Sequence, residues 1–152
     1  MLLAFLDYQR ESMVRKLDGL SEEQARFEPT PASNSIIALL SHLGYVERWW
    51  FQKVFAGAKP QFPWSKDDSD ADFRVTSDRT IDDLITFYRT EWERSNEIAR
   101  AAPSLDEPAA SRERRNTSIS LRWILNHMIE ETARHAGHAD ITRELIDGSI
   151  GI

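Results

Sequence analysis

The chain has 152 residues, of which 41% are hydrophobic and 29% charged, and its formal net charge is −6. This size and balance predict one soluble domain over residues 1–152, and the acidity argues against binding to nucleic-acid phosphates. The absence of cysteine excludes disulfides, thiolate zinc sites and a cysteine nucleophile.

The first predicted helix covers residues 2–17, and one of its faces carries Leu2, Leu6, Gln9, Met13 and Leu17. The first residues of the sequence contain no basic segment and no small-residue cleavage site, which argues against a signal peptide. No apolar run in the sequence reaches the ~20 residues of a membrane span. We therefore expect a cytoplasmic protein. The next four residues, 21–24, match a capping box and predict one short turn.

The second predicted helix covers residues 35–55, and Ser33, Asn34 and Ser35 are all plausible N-caps. Gly57 ends this helix, and residues 58–77 follow as a loop. The loop contains an acidic run of four aspartates, Asp67, Asp68, Asp70 and Asp72. The run lacks the glycine and closing glutamate of a calcium loop, so we expect a solvated segment.

The third predicted helix covers residues 80–102, with Thr80 as its cap and Pro103 after its end. A second loop, residues 105–117, includes the basic cluster of Arg112, Arg114 and Arg115, interpreted as solvated rather than as a nucleic-acid contact. The fourth helix covers residues 120–147 and ends at Gly148. Four amphipathic helices without a convincing strand predict an all-α four-helix bundle.

The fourth helix carries unexpected polar residues on its predicted core face. The face follows a heptad seam of Leu121, Ile124, Met128, Glu131, His135, His138, Thr142 and Leu145. Its ends are apolar, but its middle holds a carboxylate and two imidazoles. Buried without partners, such groups cost several kcal/mol or shift their pKa, so a metal ion is the simplest partner.

The spacing of these residues suits a shared ion. Glu131 and His135 stand four residues apart, so they stack one turn apart on the helix, and His138 follows on the same stripe. The remaining ligand must come from a facing helix, where His42 interrupts an apolar face. We therefore predict His42, Glu131 and His135 as metal ligands. Their nitrogen and oxygen donors suit zinc, nickel or ferrous iron, with zinc as our first expectation.

Ordinary structural roles compete with this interpretation. A buried histidine is usually a hydrogen-bonded core residue, and Arg134 or Arg143 could pair with a glutamate of the fourth helix. A Glu-x-x-x-His pair alone also arises often by chance in helices. The seam position and the histidine on the facing helix favour the metal. We predict His127 and His138 as catalytic residues, either in the pocket or behind the metal ligands, where they would carry a proton or orient a ligand.

Three segments resemble one family. They are EETARHAGHADITRELIDG at residues 130–148, SHLGYVERWW at residues 41–50 and LDGLSEEQARFEPTPASNS at residues 17–35. All three resemble the DinB/YfiT-like metalloenzymes, and especially their mini-circle protein subset. The resemblance covers nearly the whole chain, and its most specific part is the last helix.

The resemblance implies an up-down-down-up bundle and a divalent metal held by three side chains. Relatives include mycothiol-dependent maleylpyruvate isomerase and bacillithiol transferases. Many relatives have three histidine ligands, whereas Glu131 stands here at the position of the earlier histidine of the last helix. The mycothiol-dependent isomerase also has a glutamate at that place.

The leading functional hypothesis is a metal-dependent transferase or isomerase that uses a low-molecular-weight thiol of the mycothiol type. With no cysteine in the chain, the thiol must come from a cosubstrate. One alternative is a hydrolase whose metal ion activates water. The other is a non-catalytic, stress-related protein that binds a small molecule. A homodimer is plausible for a single bundle of this kind, and we expect no membrane or nucleic-acid partner.

Overall fold

The structure, a computed structural model, describes residues 1–31, 33–111 and 119–151. Its α-helices are α1 (Leu2–Arg15), α2 (Glu22–Ala25), α3 (Ile36–Glu47), α4 (Ile81–Ala101) and α5 (Leu121–Asp147). Within these ranges no strand forms, and only an isolated antiparallel bridge joins Pro108 to Ser120. The predicted all-α class is confirmed. The up-down-down-up order of helix directions stays a prediction, and the basic cluster at Arg112, Arg114 and Arg115 lies outside the described residues.

The helix starts are fixed by the side chains that the sequence suggests. Ser21 forms a capping box with Gln24, and Thr80 forms another with Asp83, so each pair satisfies two backbone N–H groups. Of the three candidate caps, Ser35 caps α3, because its side chain accepts from the backbone N–H of Ala38. None of the helices in the described part of the chain is long and apolar enough to cross a bilayer.

Beyond Glu47, α3 continues as a π-helix, Arg48–Phe55. The backbone N–H of Ala56 donates to the carbonyl of Phe51, five residues earlier, at 3.0 Å. The predicted helix over residues 35–55 has the right extent, but its uniform α type is wrong. Apolar periodicity does not distinguish the two turn types over eight residues. π-helical segments often occur at functional sites, and this one borders a cavity of about 700 Å³.

The helices pack in pairs that position the candidate site. α1 lies against α5, while α3 lies against both α4 and α5. One apolar cluster includes Met13, Leu40 and Tyr88, and a second includes Leu6, Phe51 and Met128. The contact between α3 and α5 brings the two histidine-bearing helices together.

A buried ion pair ties α1 to α3. Arg10 is fully buried and donates to both carboxylate oxygens of Glu47, at 2.7 and 2.6 Å. It also donates to Asn96 on α4, at 2.9 Å. Burial lowers the pKa of Arg10, but the charge and hydrogen bonds of Glu47 outweigh burial and raise it. The charged side chain is tolerated in the core because its partner is buried with it.

Candidate metal centre

The three predicted ligands converge where α3 meets α5. The Oε1 atom of Glu131 lies 3.2 Å from Nε2 of His135 and 3.5 Å from Nε2 of His42. One ligand atom from each of the three residues lies within 4.8 Å of the other two. Glu131 and His135 come together because they stand one turn apart on α5, and His42 reaches them across the helix contact.

These separations fit a metal ion. Zinc bonds to nitrogen and oxygen are about 2.0–2.2 Å long, so tetrahedral ligand atoms lie about 3.3 Å apart. The two observed separations, 3.2 and 3.5 Å, fall on either side of that value. Two imidazoles and one carboxylate also suit nickel or ferrous iron. Three protein ligands leave coordination positions open, as catalytic metal sites do.

Asp72 orients His42 from the side opposite the triad. Its Oδ2 atom lies 2.7 Å from Nδ1 of His42, and only 4% of the residue is exposed. The neighbouring Phe73 stacks on the imidazole, with ring centroids 4.1 Å apart and planes at 11°. Both residues belong to a short 3₁₀ helix, Ala71–Phe73. A carboxylate on Nδ1 fixes the ring so that Nε2 faces Glu131, the arrangement that many metal-binding histidines use.

The contact of Asp72 with His42 was not predicted from the sequence. The acidic run was expected to be solvated, which is correct for the exposed Asp67, Asp68 and Asp70 and wrong for the buried Asp72. The aromatic residue that follows was the available signal, because Phe73 packs against the apolar cluster that includes Met13, Leu40 and Tyr88, and the preceding carboxylate is buried with it. Charge alone predicts solvent exposure for all four aspartates.

Hydrogen bonding sets the charges of the triad. The pKa of Glu131 is held well below its usual range by the hydrogen bond with His135 and then by that with His42. Burial lowers the pKa of His42, but hydrogen bonds to Asp72 and Glu131 outweigh it and raise the value. Glu131 is therefore ionised at neutral pH, and the centre presents a negative ligand to a cation.

Arg134 does not compete with the histidines for the inner oxygen of Glu131. It pairs with the exposed Glu130 at 2.8 Å and reaches only the outer Oε2 of Glu131, at 3.5 Å. The salt bridge considered as an alternative does form. However, it leaves Oε1 of Glu131 directed at the two imidazoles.

His138 lies outside the core, so the predicted seam is wrong at its C-terminal end. His138 is exposed beside His135, with ring centroids 5.8 Å apart, and Leu145 is 61% exposed. The buried positions there are Thr132, Ala136, Ala139 and Thr142, and of these only Thr142 belongs to the predicted seam. A straight α-helix drifts by about 20° per heptad from a strict seven-residue repeat, so over a long helix the predicted seam turns away from the core.

His127 lies one helical turn before Glu131 on α5. Its ring stacks on Trp123, with centroids 5.1 Å apart, and meets the edge of Trp50 at 4.8 Å. The residue is half-buried and lines the cavity. The structure therefore separates the two histidines that were assigned supporting roles, since His127 borders the cavity whereas the ring of His138 lies against that of the ligand His135.

A cavity of about 700 Å³ opens onto the triad between α3, the π-helix, α5 and the loop before the 3₁₀ helix. Its walls comprise His42, Val46, Trp49, Trp50, Val54, Trp64, Ser65, Ser69, Asp70, Asp72, Phe73, Ile119, His127, Glu131 and Arg134. Cavities of 300–1,000 Å³ hold small-molecule ligands. The candidate metal centre is therefore accessible to a small substrate.

Comparison with known proteins gives a family and a fold. A family model described as mycothiol-S-transferase matches residues 1–148, which confirms the resemblance to the DinB/YfiT-like proteins. The crystal structure of a conserved protein from Enterococcus faecalis superimposes with a TM-score of 0.69 at 16% identity, over 97% of this chain and 96% of that one. This likeness supports the fold alone. A search of curated proteins found no match.

Proposed function

The chain belongs to the mycothiol-S-transferase family, and we propose that it joins a small mycothiol-type thiol to a small electrophile, or isomerises that electrophile through the thiol, with the help of a divalent metal ion. His42, Glu131 and His135 would hold the ion, with zinc as the expected metal. The observation that carries the proposal is the convergence of these three side chains beside a substrate-sized cavity whose wall includes two of them, His42 and Glu131.

A bound divalent ion would lower the pKa of a thiol and so supply a thiolate nucleophile at neutral pH. The chain itself holds the centre in shape. Asp72 fixes the ring of His42 through Nδ1, so that Nε2 is directed at the ion, and Glu131 contributes one negative ligand charge beside Nε2 of His135 and of His42. With no cysteine in the chain, the reacting sulfur belongs to the cosubstrate.

The two further histidines have separate proposed roles. His127 faces the cavity, so it is the candidate for transferring a proton to or from a substrate. His138 contacts the ring of His135 from the solvent side, so it is proposed to steady that ligand and to exchange protons with water.

The test is consumption of mycothiol in the presence of an electrophile by protein purified without a polyhistidine tag. Wild type is expected to contain stoichiometric metal and to consume thiol, whereas His42→Ala loses both. Thr90→Ala, on the exposed face of α4, is the control and should behave as wild type. Equal thiol consumption by His42→Ala would contradict the proposal. Turnover without thiol would favour the hydrolase, and bound metal without any turnover would favour the binding protein.

A further inference from the structure

One wall of the cavity combines indole rings with polar side chains. This mixed wall consists of Trp49, Trp64, Ser65, Ser69 and Asp70. Both indoles are half-buried, and the three polar residues are exposed. The mixed wall therefore offers ring surface and hydrogen-bonding groups to the same ligand.

The ring of Trp64 is held in place but is not enclosed. Phe62 lies nearly parallel to it, with ring centroids 4.5 Å apart and planes at 21°. Trp49 is 5.5 Å from Phe62 and 5.8 Å from Trp64, so it lies at the side of this stacked pair, while Tyr45 meets Trp64 at 74°. The ammonium group of Lys53 lies over the ring of Trp49, at 3.7 Å. Trp64 is therefore the better platform, since it is half-buried and part of its indole borders the cavity.

The polar groups of the mixed wall have hydrogen-bonding capacity for a ligand. The hydroxyl of Ser69 donates to Oδ1 of Asp70 at 3.1 Å, which uses one of about four lone-pair sites of the carboxylate. The hydroxyl of Ser65 accepts from the backbone N–H of Asp67 at 3.3 Å, and an accepting hydroxyl keeps its own proton for a further bond. The mixed wall thus presents a carboxylate acceptor and a hydroxyl donor, which suit ligand hydroxyl groups that both donate and accept.

The mixed wall adjoins the candidate metal centre. Asp70 stands two residues before Asp72, the partner of His42, so the Cα atoms of the two aspartates are at most about 7 Å apart. A thiol whose sulfur lies at the triad therefore has the mixed wall within reach of its body. Asp70 and Glu131 both contribute carboxylates to this region, whereas the guanidinium of Arg134 is already paired with glutamates. These charges favour a neutral body over an anionic one.

Building on the proposed function, we infer that the body of the thiol is a neutral polyhydroxylated ring, a sugar or a cyclitol, which lies against Trp64 and donates hydroxyl protons to Asp70. Such a ring has an apolar C–H face and a rim of hydroxyl groups. The C–H face is stabilised by burial against an indole, and a hydroxyl donates more strongly to a carboxylate than to a neutral acceptor. Mycothiol has such a body, in which glucosamine is joined to inositol. Trp64 and Asp70 thus determine specificity for the thiol without contacting the reacting sulfur.

The experiment compares mycothiol with N-acetylcysteinamide, which has the same reacting part and no sugar. Iodoacetamide is the common electrophile, and the uncatalysed rate is subtracted. In Asp70→Asn and Trp64→Leu we expect KM for mycothiol to rise about tenfold, with kcat at saturating thiol unchanged within about twofold. KM for N-acetylcysteinamide should stay within about twofold of the wild-type value. Asp67→Asn removes the same charge from an exposed position outside the cavity lining and should match wild type with both thiols.

Equal changes in KM for the two thiols, or no change for either, would overturn the inference and leave the proposed function intact. Circular dichroism and thermal unfolding check Trp64→Leu, and Asp70→Asn alone decides if that variant fails to fold. Calorimetry with N-acetylglucosaminyl-inositol, the thiol-free body, tests the mixed wall without turnover. Weaker binding to Asp70→Asn than to Asp67→Asn supports the inference even if the wild type consumes no thiol. Equal binding to these two variants, or no binding to the wild type, overturns it.

Discussion

Replacement of Asp72 tests whether the carboxylate behind His42 supports metal binding. Its Oδ2 atom lies 2.7 Å from Nδ1 of His42 in a nearly solvent-free position, and hydrogen bonds to charged groups contribute about 1.5–3 kcal/mol. At 1.4 kcal/mol per factor of ten, that is about 10- to 100-fold in affinity, the range for partners of metal-binding histidines. We expect zinc binding to be about tenfold weaker in Asp72→Asn, which keeps an accepting oxygen. In Asp72→Ala we expect zinc binding to be about 100-fold weaker.

The assay is competition for zinc with a chromophoric chelator at about pH 8, where protons compete little for the imidazoles. Asp67→Asn removes the same charge from an exposed position in the same acidic run and should bind zinc as wild type does. Circular dichroism confirms that each variant is folded. If Asp72→Asn binds zinc as tightly as Asp67→Asn does, the orienting role of Asp72 is refuted.

Two further substitutions test the packing that positions the centre. Arg10→Met leaves the carboxylate of Glu47 buried without its partner, so the free energy of unfolding in urea should fall by about 3–5 kcal/mol. Gly44→Ala places a Cβ atom 2.4 Å from a ring carbon of Phe87, so the ring must move and the free energy of unfolding should fall by about 1 kcal/mol. A Cβ atom at Gly137 would have no other atom within 4 Å. Gly137→Ala should therefore raise the free energy of unfolding by about 0.5–1 kcal/mol, because alanine favours the helix.

Arg94→Met is the control for the buried ion pair, since Arg94 and Glu97 are both largely exposed. It should change the free energy of unfolding by less than about 1 kcal/mol. An Arg10→Met protein as stable as Arg94→Met would show that the buried pair contributes little. Likewise, a Gly44→Ala protein as stable as Gly137→Ala would show that α3 and α4 are not tightly packed at that point.

Much of the fold follows from local sequence signals. The caps at Ser21, Ser35 and Thr80 and the glycine at 148 place helix boundaries within a few residues, because each satisfies backbone groups that the helix leaves free. The π-helical turns over Arg48–Phe55 did not follow, since an apolar face looks alike in the two helix types over so short a segment.

Residues that act in tertiary contacts were harder to predict. His42, Glu131 and His135 could be selected because each places a polar group on an apolar helix face, and the structure brings them together. Asp72 carries no periodic signal, because it lies in a 3₁₀ helix of three residues that packs against α3. His138 was placed on the core face by a heptad pattern that a straight helix does not keep.

The most direct test of the central claim is anomalous diffraction from crystals of untagged protein, recorded on either side of the zinc absorption edge. The account predicts one strong anomalous peak at bonding distance from Nε2 of His42, Nε2 of His135 and a carboxylate oxygen of Glu131. Zinc-loaded crystals without a peak between these three residues, or with His42 outside the coordination sphere, would contradict it.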